Sequence, residues 1–206
     1  MNLFLRARHW QIFLLTFGIP FVFQIVMMVS IFSSIAHDHN PTAFFSYFKF
    51  FPLMMLLFTG TMLGWQYSVS VGLQKFVPPN VKMKVTKFKI FFFIPVVYLS
   101  VIIGFISYLF TGHIPTRSGP PDPIFFSFFA IIFPIHLFSM FCLFYSLYFV
   151  SKTYKTVELQ RAVTFSDFVG EFFMTWFFFV GIWIMQPKIN KWVEEREGDV
   201  GVITEQ

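Results

Sequence analysis

The feature that most constrains this chain is a set of long apolar runs that contain almost no charged side chain. The four longest lie at 10–36, 44–72, 90–110 and 124–150. Each supplies the roughly 20 apolar residues with which an α-helix crosses the hydrocarbon core of a bilayer. None alternates polar and apolar residues as barrel strands do, and a backbone in lipid must satisfy its own hydrogen bonds. The runs therefore predict transmembrane helices.

Composition supports this prediction and excludes several classes of protein. Apolar residues make up 56% of the 206 residues, charged residues make up only 12%, and Phe alone occurs 35 times. A soluble domain carries about 25% charged residues, because these cover its exterior. The sequence thus excludes a soluble enzyme, a disordered chain and a nucleic-acid-binding domain, although its net charge is +5.

A fifth apolar stretch, at 172–185, is shorter than the others. Its 14 residues would form about 21 Å of helix, against a hydrocarbon core of about 30 Å. Thr164 or Ser166 would cap the start of this helix. It either spans the membrane with tilt or local thinning, or it re-enters or lies at the interface, and we favour a segment that does not cross fully.

The predicted fold is accordingly all-α. We expect a polytopic integral membrane helix bundle with four transmembrane helices plus a short fifth apolar helix, spanning or re-entrant. Residues 1–194 form one transmembrane helical domain, and 195–206 form a polar, mobile C-terminal tail.

The distribution of basic residues predicts the orientation of the bundle. Arg6 and Arg8 precede the first run, and five lysines lie in the loop after the second, whereas the loop after the first run has no Lys or Arg. By the positive-inside rule the N-terminus is cytoplasmic. Four of these lysines either contact anionic lipid head groups or serve only to set topology: Lys82, Lys84, Lys87 and Lys89.

Small residues form a ladder along the second run. Its members recur every four positions and so share one side of a helix: Gly60, Gly64, Ser68 and Gly72. Ser100 and Gly104 repeat the spacing once in the third run. Such ladders allow helix backbones to approach closely, which drives helix association in lipid. They predict tight packing, either within the chain or against a second subunit.

Histidines offer the candidate cofactor and metal sites. His136 follows Pro134 in the fourth run and is a candidate haem ligand, quinone contact or proton relay. The alternative is a neutral imidazole hydrogen-bonded to a neighbouring helix. His37, His39 and His113, in the predicted outer loops, are candidate ligands for zinc or copper, or else parts of solvated loops.

Buried charge is missing from the centre of every long run. Ion-coupled transporters, proton pumps and voltage sensors depend on such groups. The common catalytic motifs are absent too, and the single cysteine, Cys142, excludes an internal disulfide and a cysteine-based zinc site. Gln24 and Gln66 are the candidates for a polar path through the membrane.

The stretch from 157 to 191 has a distinctive pattern. It contains VELQ at 157–160, FSDFVGEFF at 165–173 and GIWIMQPKINK at 181–191. This stretch, about a sixth of the chain, resembles the C-terminal part of small multi-pass bacterial membrane proteins. The resemblance implies a bacterial inner-membrane setting, and no activity or site is carried over from it. It also implies that Glu158, Asp167, Glu171 and the Gln186–Pro187 pair form one unit on the cytoplasmic side.

These observations favour a non-enzymatic component of a membrane assembly, either a homo-oligomer or an accessory subunit, in the bacterial inner (plasma) membrane. Its partners would be anionic lipid and other membrane subunits, with no cofactor and no nucleic acid. The first alternative is a pore or passive transporter for a small solute, lined in part by Gln24 and Gln66. The second is a metal- or haem-dependent membrane enzyme that uses His136 or the outer histidines.

Overall fold

A computed structural model describes residues 3–38, 50–110 and 123–204 of the chain, with side chains described for 3–36, 50–108 and 130–195. Within these ranges the chain is helical and contains no strand. The helices are α1 (Leu3–Arg6), α2 (His9–Phe13), α3 (Ile19–Asp38), α4 (Phe51–Gly72), α5 (Val85–Phe110), α6 (Pro123–Leu159), α7 (Phe165–Trp176) and α8 (Phe178–Thr204). A π-helical turn, Leu14–Gly18, joins α2 to α3, and a 3-10 turn, Leu73–Phe76, follows α4.

Three helical segments in the described residues are long and apolar enough to cross a membrane: His9–Ala36, Val85–Tyr108 and Ala130–Leu159. The pair formed by α7 and α8 passes the same criterion only as a unit, and it is bent by 119°. The described chain therefore has three candidate spans, or four if the bent pair is one span. The prediction of an all-helical fold is confirmed for the described residues, and these apolar helices indicate a membrane location.

The predicted second span is helical but is not among these candidates. Its first residues, 44–49, lie outside the described residues, and α4 begins at Phe51. The C-terminal half of α4 carries Trp65, Gln66, Tyr67 and two serines, which lower its mean hydropathy. This half of α4 is buried among other helices, so its polar groups do not face lipid.

The fifth apolar stretch differs from the prediction of one continuous helix over 172–185. Thr164 is the N-cap residue of α7, and its backbone N–H donates to Asp167 Oδ2 at 2.8 Å. The helix ends at Trp176, and Phe177 leaves helical geometry with φ −82° and ψ 62°. Beyond the bend, α8 continues to Thr204, so 195–204 of the predicted polar tail is helical.

The buried core lies at one end of the bundle, where α1 and α2 pack against α4 and α8. Its residues are Leu5, Ile12, Trp65, Val69, Leu73, Val150, Tyr154, Val157, Phe178, Ile182, Met185, Ile189 and Val193. Away from this core, α3, α5 and α6 expose large apolar side chains such as Phe21, Val101 and Phe133. An apolar surface of this extent is stable against lipid and unstable against water.

Candidate functional site

A fully buried polar side chain at the packed end is that of Gln186 in α8. Its Oε1 accepts from Trp65 Nε1 of α4 at 2.7 Å. Its Nε2 donates to the carbonyl of Phe4 at 2.9 Å and to that of Ala7 at 2.8 Å. One amide thus joins three separate segments, and it pairs two carbonyls that the short helix α1 leaves free.

Asn190 extends this contact by one helical turn. It lies four residues after Gln186, on the same side of α8, and its Nδ2 donates to Leu5 O at 2.8 Å. We name Trp65, Gln186, Asn190 and the carbonyls of Phe4, Leu5 and Ala7 the Gln186 junction. The bond between Trp65 and Gln186 is buried, and it is the costliest to lose because an unpaired polar group there cannot reach water.

A second polar feature is a set of four charges on α6, α7 and α8. Lys155 Nζ lies 2.7 Å from Glu158 and 2.8 Å from Glu171, and Lys188 Nζ lies 2.6 Å from the other oxygen of Glu158. We name these residues the Lys155 cluster. Two lysines balance two glutamates, and all but Lys188 are largely buried, so mutual pairing is what makes their burial tolerable.

The Lys155 cluster also locates the two ends of the apolar stretch at 172–185. Glu171 precedes the bend and Lys188 follows it, yet both reach the same turn of α6 through Lys155 and Glu158. The chain therefore enters and leaves the bend at the same end of α6.

The close contact between α7 and α8 depends on Gly181. A Cβ atom built on Gly181 would overlap the carbonyl oxygen of Met174 in α7. The bend itself is held by Phe177, whose N–H donates to Phe173 O at 2.8 Å and whose carbonyl accepts from Gly181 N at 3.0 Å. A side chain at position 181 and this bend are therefore sterically incompatible.

The structure brings together only part of the unit implied by the C-terminal resemblance. Glu158 and Glu171 share Lys155. Asp167 acts separately, as an N-terminal partner of Thr164 and as an ion pair with Arg161 at 2.9 Å. Gln186 belongs to the Gln186 junction. Lys155 and Lys188 were not predicted as site residues, although Lys155 and Glu158 have the i, i+3 spacing of helical ion pairs.

The glycines of the small-residue ladder in α4 differ in what packs against them. A Cβ on Gly64 would lie 2.8 Å from the Phe4 ring, and one on Gly72 would overlap Leu5, so both glycines accommodate α1. Among the described residues, nothing lies within 4 Å of a Cβ on Gly60, nor of one on Gly104 of α5. Ser68 is buried and Ser100 is exposed.

The four lysines predicted to contact lipid head groups are all exposed. Lys82 and Lys84 precede α5, and Lys87 and Lys89 lie in its first turns. The Lys87 ammonium lies 5.4 Å from the centroids of two rings, those of Phe91 and Tyr145, within the range of cation–π attraction.

The remaining candidates are dispersed. His136 is exposed, and its Nδ1 lies 2.8 Å from Tyr98 Oη of α5, so it is hydrogen-bonded to a neighbouring helix. Gln24 is on the exposed surface of α3, whereas the side chain of Gln66 in α4 is buried among the helices. The side chains of His37, His39 and His113 lie outside the described residues, and no group of three metal-binding side chains occurs within those residues.

Comparisons with known protein families, with curated proteins and with solved structures returned no match for this chain. Its class therefore follows from the structure itself: it is an all-helical protein with three to four helices apolar enough to cross a membrane.

Proposed function

We propose that this chain is a multi-pass membrane protein that acts as a non-enzymatic subunit of a membrane assembly, first of all with further copies of itself. The observation that carries the proposal is the groove between α4 and α5, about 300 Å³ in volume. Gly60, Ser100 and several apolar side chains line this groove. No described atom lies within 4 Å of a Cβ placed on Gly60. The other glycines of this ladder receive a segment of the same chain, so an unfilled glycine supports a further helix, from a second subunit.

Replacing Gly60 with Leu is expected to weaken self-association about tenfold or more, because losing about 1.4 kcal/mol of packing has that effect. The fold of each monomer is expected to persist, since a Cβ atom at position 60 has no described atom within 4 Å and the rest of the side chain would extend into the groove. The measurement is oligomer mass against protein concentration in detergent.

Gly64→Leu is the matched control for this experiment. Its side chain would press on Phe4 within the same chain, so it should lower the thermal stability of the monomer. A monomeric native protein, or an oligomer that Gly60→Leu leaves unchanged, would contradict the proposal.

We further propose that the four long runs of the sequence are spans, that α7 and α8 form a re-entrant hairpin, and that the N-terminus is cytoplasmic in a bacterial inner membrane. The Lys155 cluster supports the hairpin, because it ties both ends of the bend to one end of α6. The loop after α4 is at that end too, since Gln160 donates to Phe76 O at 3.2 Å. Nearly every basic residue then lies on one side, as the positive-inside rule requires.

Cysteine labelling tests this topology. The two variants are Val200→Cys and Asn80→Cys, each in a Cys142→Ala background. A membrane-impermeant maleimide is added to inverted or to right-side-out vesicles. We expect both cysteines to be labelled in the same vesicle orientation. The reason is that α8 returns to the end of the bundle that carries the 77–84 loop. Labelling of the two cysteines from opposite sides would mean that the bent pair crosses the membrane.

A further inference from the structure

An interior side chain in α4 has polar atoms that nothing in the described chain satisfies. Gln66 is 1% exposed, and neither its Nε2 nor its Oε1 has a hydrogen-bond partner among the described residues. The neighbouring polar side chain, Trp65, is paired with Gln186. Burying an unpaired amide is expensive, so a ligand that satisfies it would gain much of that cost in binding energy.

Gln66 lines a cleft of about 270 Å³ between α4, α6 and α7. The other lining residues are Met62, Met140, Leu143, Phe144, Leu147, Thr175 and Trp176. Phe144 and Trp176 form an edge-to-face pair with centroids 4.8 Å apart on one wall. Met140 and Trp176 are exposed, so the mouth of the cleft faces the surroundings of the bundle, which in a membrane are lipid.

Few side chains in the lining of this cleft carry polar groups. The hydroxyl of Thr175 already donates to Glu171 O at 2.8 Å and lies 3.1 Å from Ser151 Oγ. Gln66 therefore contributes an unpaired amide to a cleft whose lining is mainly apolar.

We infer that this cleft binds a single-chain amphiphile from the membrane, with its alkyl chain against Met140, Leu143 and Leu147. Its uncharged head group pairs with the buried amide of Gln66 once that side chain rotates towards the cleft. An amide presents both donor and acceptor, so the fitting head group also has both, as a hydroxyl or a protonated carboxyl has. A few convergent polar atoms in an apolar cavity are the usual form of a small-molecule site. This inference rests on the membrane setting and is independent of self-association at Gly60.

Photolabelling of the full-length protein in detergent tests the site. The probes are dodecan-1-ol with a diazirine in its chain, the corresponding methyl ether, which only accepts hydrogen bonds, and the corresponding alkane. We expect saturable labelling of α6 and α7 residues of the cleft, in the order alcohol, ether, alkane. Equal labelling by the alkane would overturn the inference, because it would indicate simple partitioning into an apolar groove.

Three variants separate recognition from folding. Gln66→Leu is expected to reduce alcohol labelling at least tenfold while leaving the unliganded protein as stable as the native one or more so, since an unpaired amide is removed. Met140→Trp should block the mouth and reduce labelling by both alcohol and alkane. Gln24→Leu, on the exposed surface of α3, should change neither. Undiminished labelling in Gln66→Leu, or a Gln66→Leu protein less stable than the native one, would overturn the assignment.

Discussion

Replacing Gln186 with Leu is expected to lower the free energy of unfolding by about 2–6 kcal/mol, because two partners are left unpaired and each loss costs about 1–3 kcal/mol. Those partners are the indole N–H of Trp65 and the carbonyl of Phe4, whereas the carbonyl of Ala7 still accepts from Asn190 Nδ2 at 3.2 Å. Leu is close to Gln in size, so the loss reflects pairing more than packing.

Release of the N-terminal segment should accompany this loss. Because α1 is held chiefly by the Gln186 junction and by Leu5 in the core, we expect trypsin to cleave after Arg6 or Arg8 at least about tenfold faster in Gln186→Leu than in the native protein. Trp65→Phe leaves the ring but removes the N–H, so it should have a smaller effect in the same direction.

Gln74→Leu is the matched control. Gln74 Nε2 donates to Ser70 O within the same helical segment, and it joins no distant parts of the chain. It should alter neither the cleavage rate nor the melting temperature by much. Equal behaviour of Gln186→Leu and Gln74→Leu would mean that the junction does not hold α1.

The second large effect is expected at the bend. Gly181→Ala should destabilise the protein by about 3 kcal/mol, since its Cβ would overlap the Met174 carbonyl and a backbone atom cannot move aside as a side chain can. For a chain of this size that corresponds to a melting temperature about 6–12 °C lower. Tryptophan fluorescence is a suitable probe, because Trp176 and Trp183 flank the bend.

Gly170→Ala provides the control with the opposite sign. Gly170 is inside α7, and nothing described lies within 4 Å of a Cβ placed on it. Alanine there should stabilise the helix by about 0.5–1 kcal/mol, because glycine loses more backbone entropy on folding. If the two alanine substitutions changed stability in the same direction, steric exclusion at Gly181 would not be the reason for the bend.

Several elements of the fold were predictable from local pattern alone. The helices of the apolar runs follow from hydrophobic length, and the start of α7 at Thr164 follows from a capping motif whose partner, Asp167, is three residues away. Close packing at Gly64 and Gly72 also followed from the ladder spacing, although the sequence did not indicate that the covering segment is α1.

The candidate site was much less accessible to sequence analysis. Gln186 was noted only as part of a resemblance, since its partners Trp65 and Phe4 lie 121 and 182 residues away in the chain. Gln66 was predicted as part of a polar path, and the burial of its unpaired amide beside a cleft could not be inferred from α4 alone. The bend at Phe177 was missed because residues 176–180 are uniformly apolar and contain no proline or glycine.

The amino-acid sequence by itself determined that this chain is helical and suited to lipid, because the cost of exposing a peptide group in lipid depends only on local hydrogen bonding and side-chain apolarity. For the orientation of the bundle, the basic loops supply a prediction by the positive-inside rule. Only the tertiary structure decided that the last apolar stretch folds back on itself, that Gln186 joins α1 to α4 and α8, and that Gln66 is unpaired beside a cleft. These features depend on contacts between distant segments, whose geometry no local pattern of residues encodes.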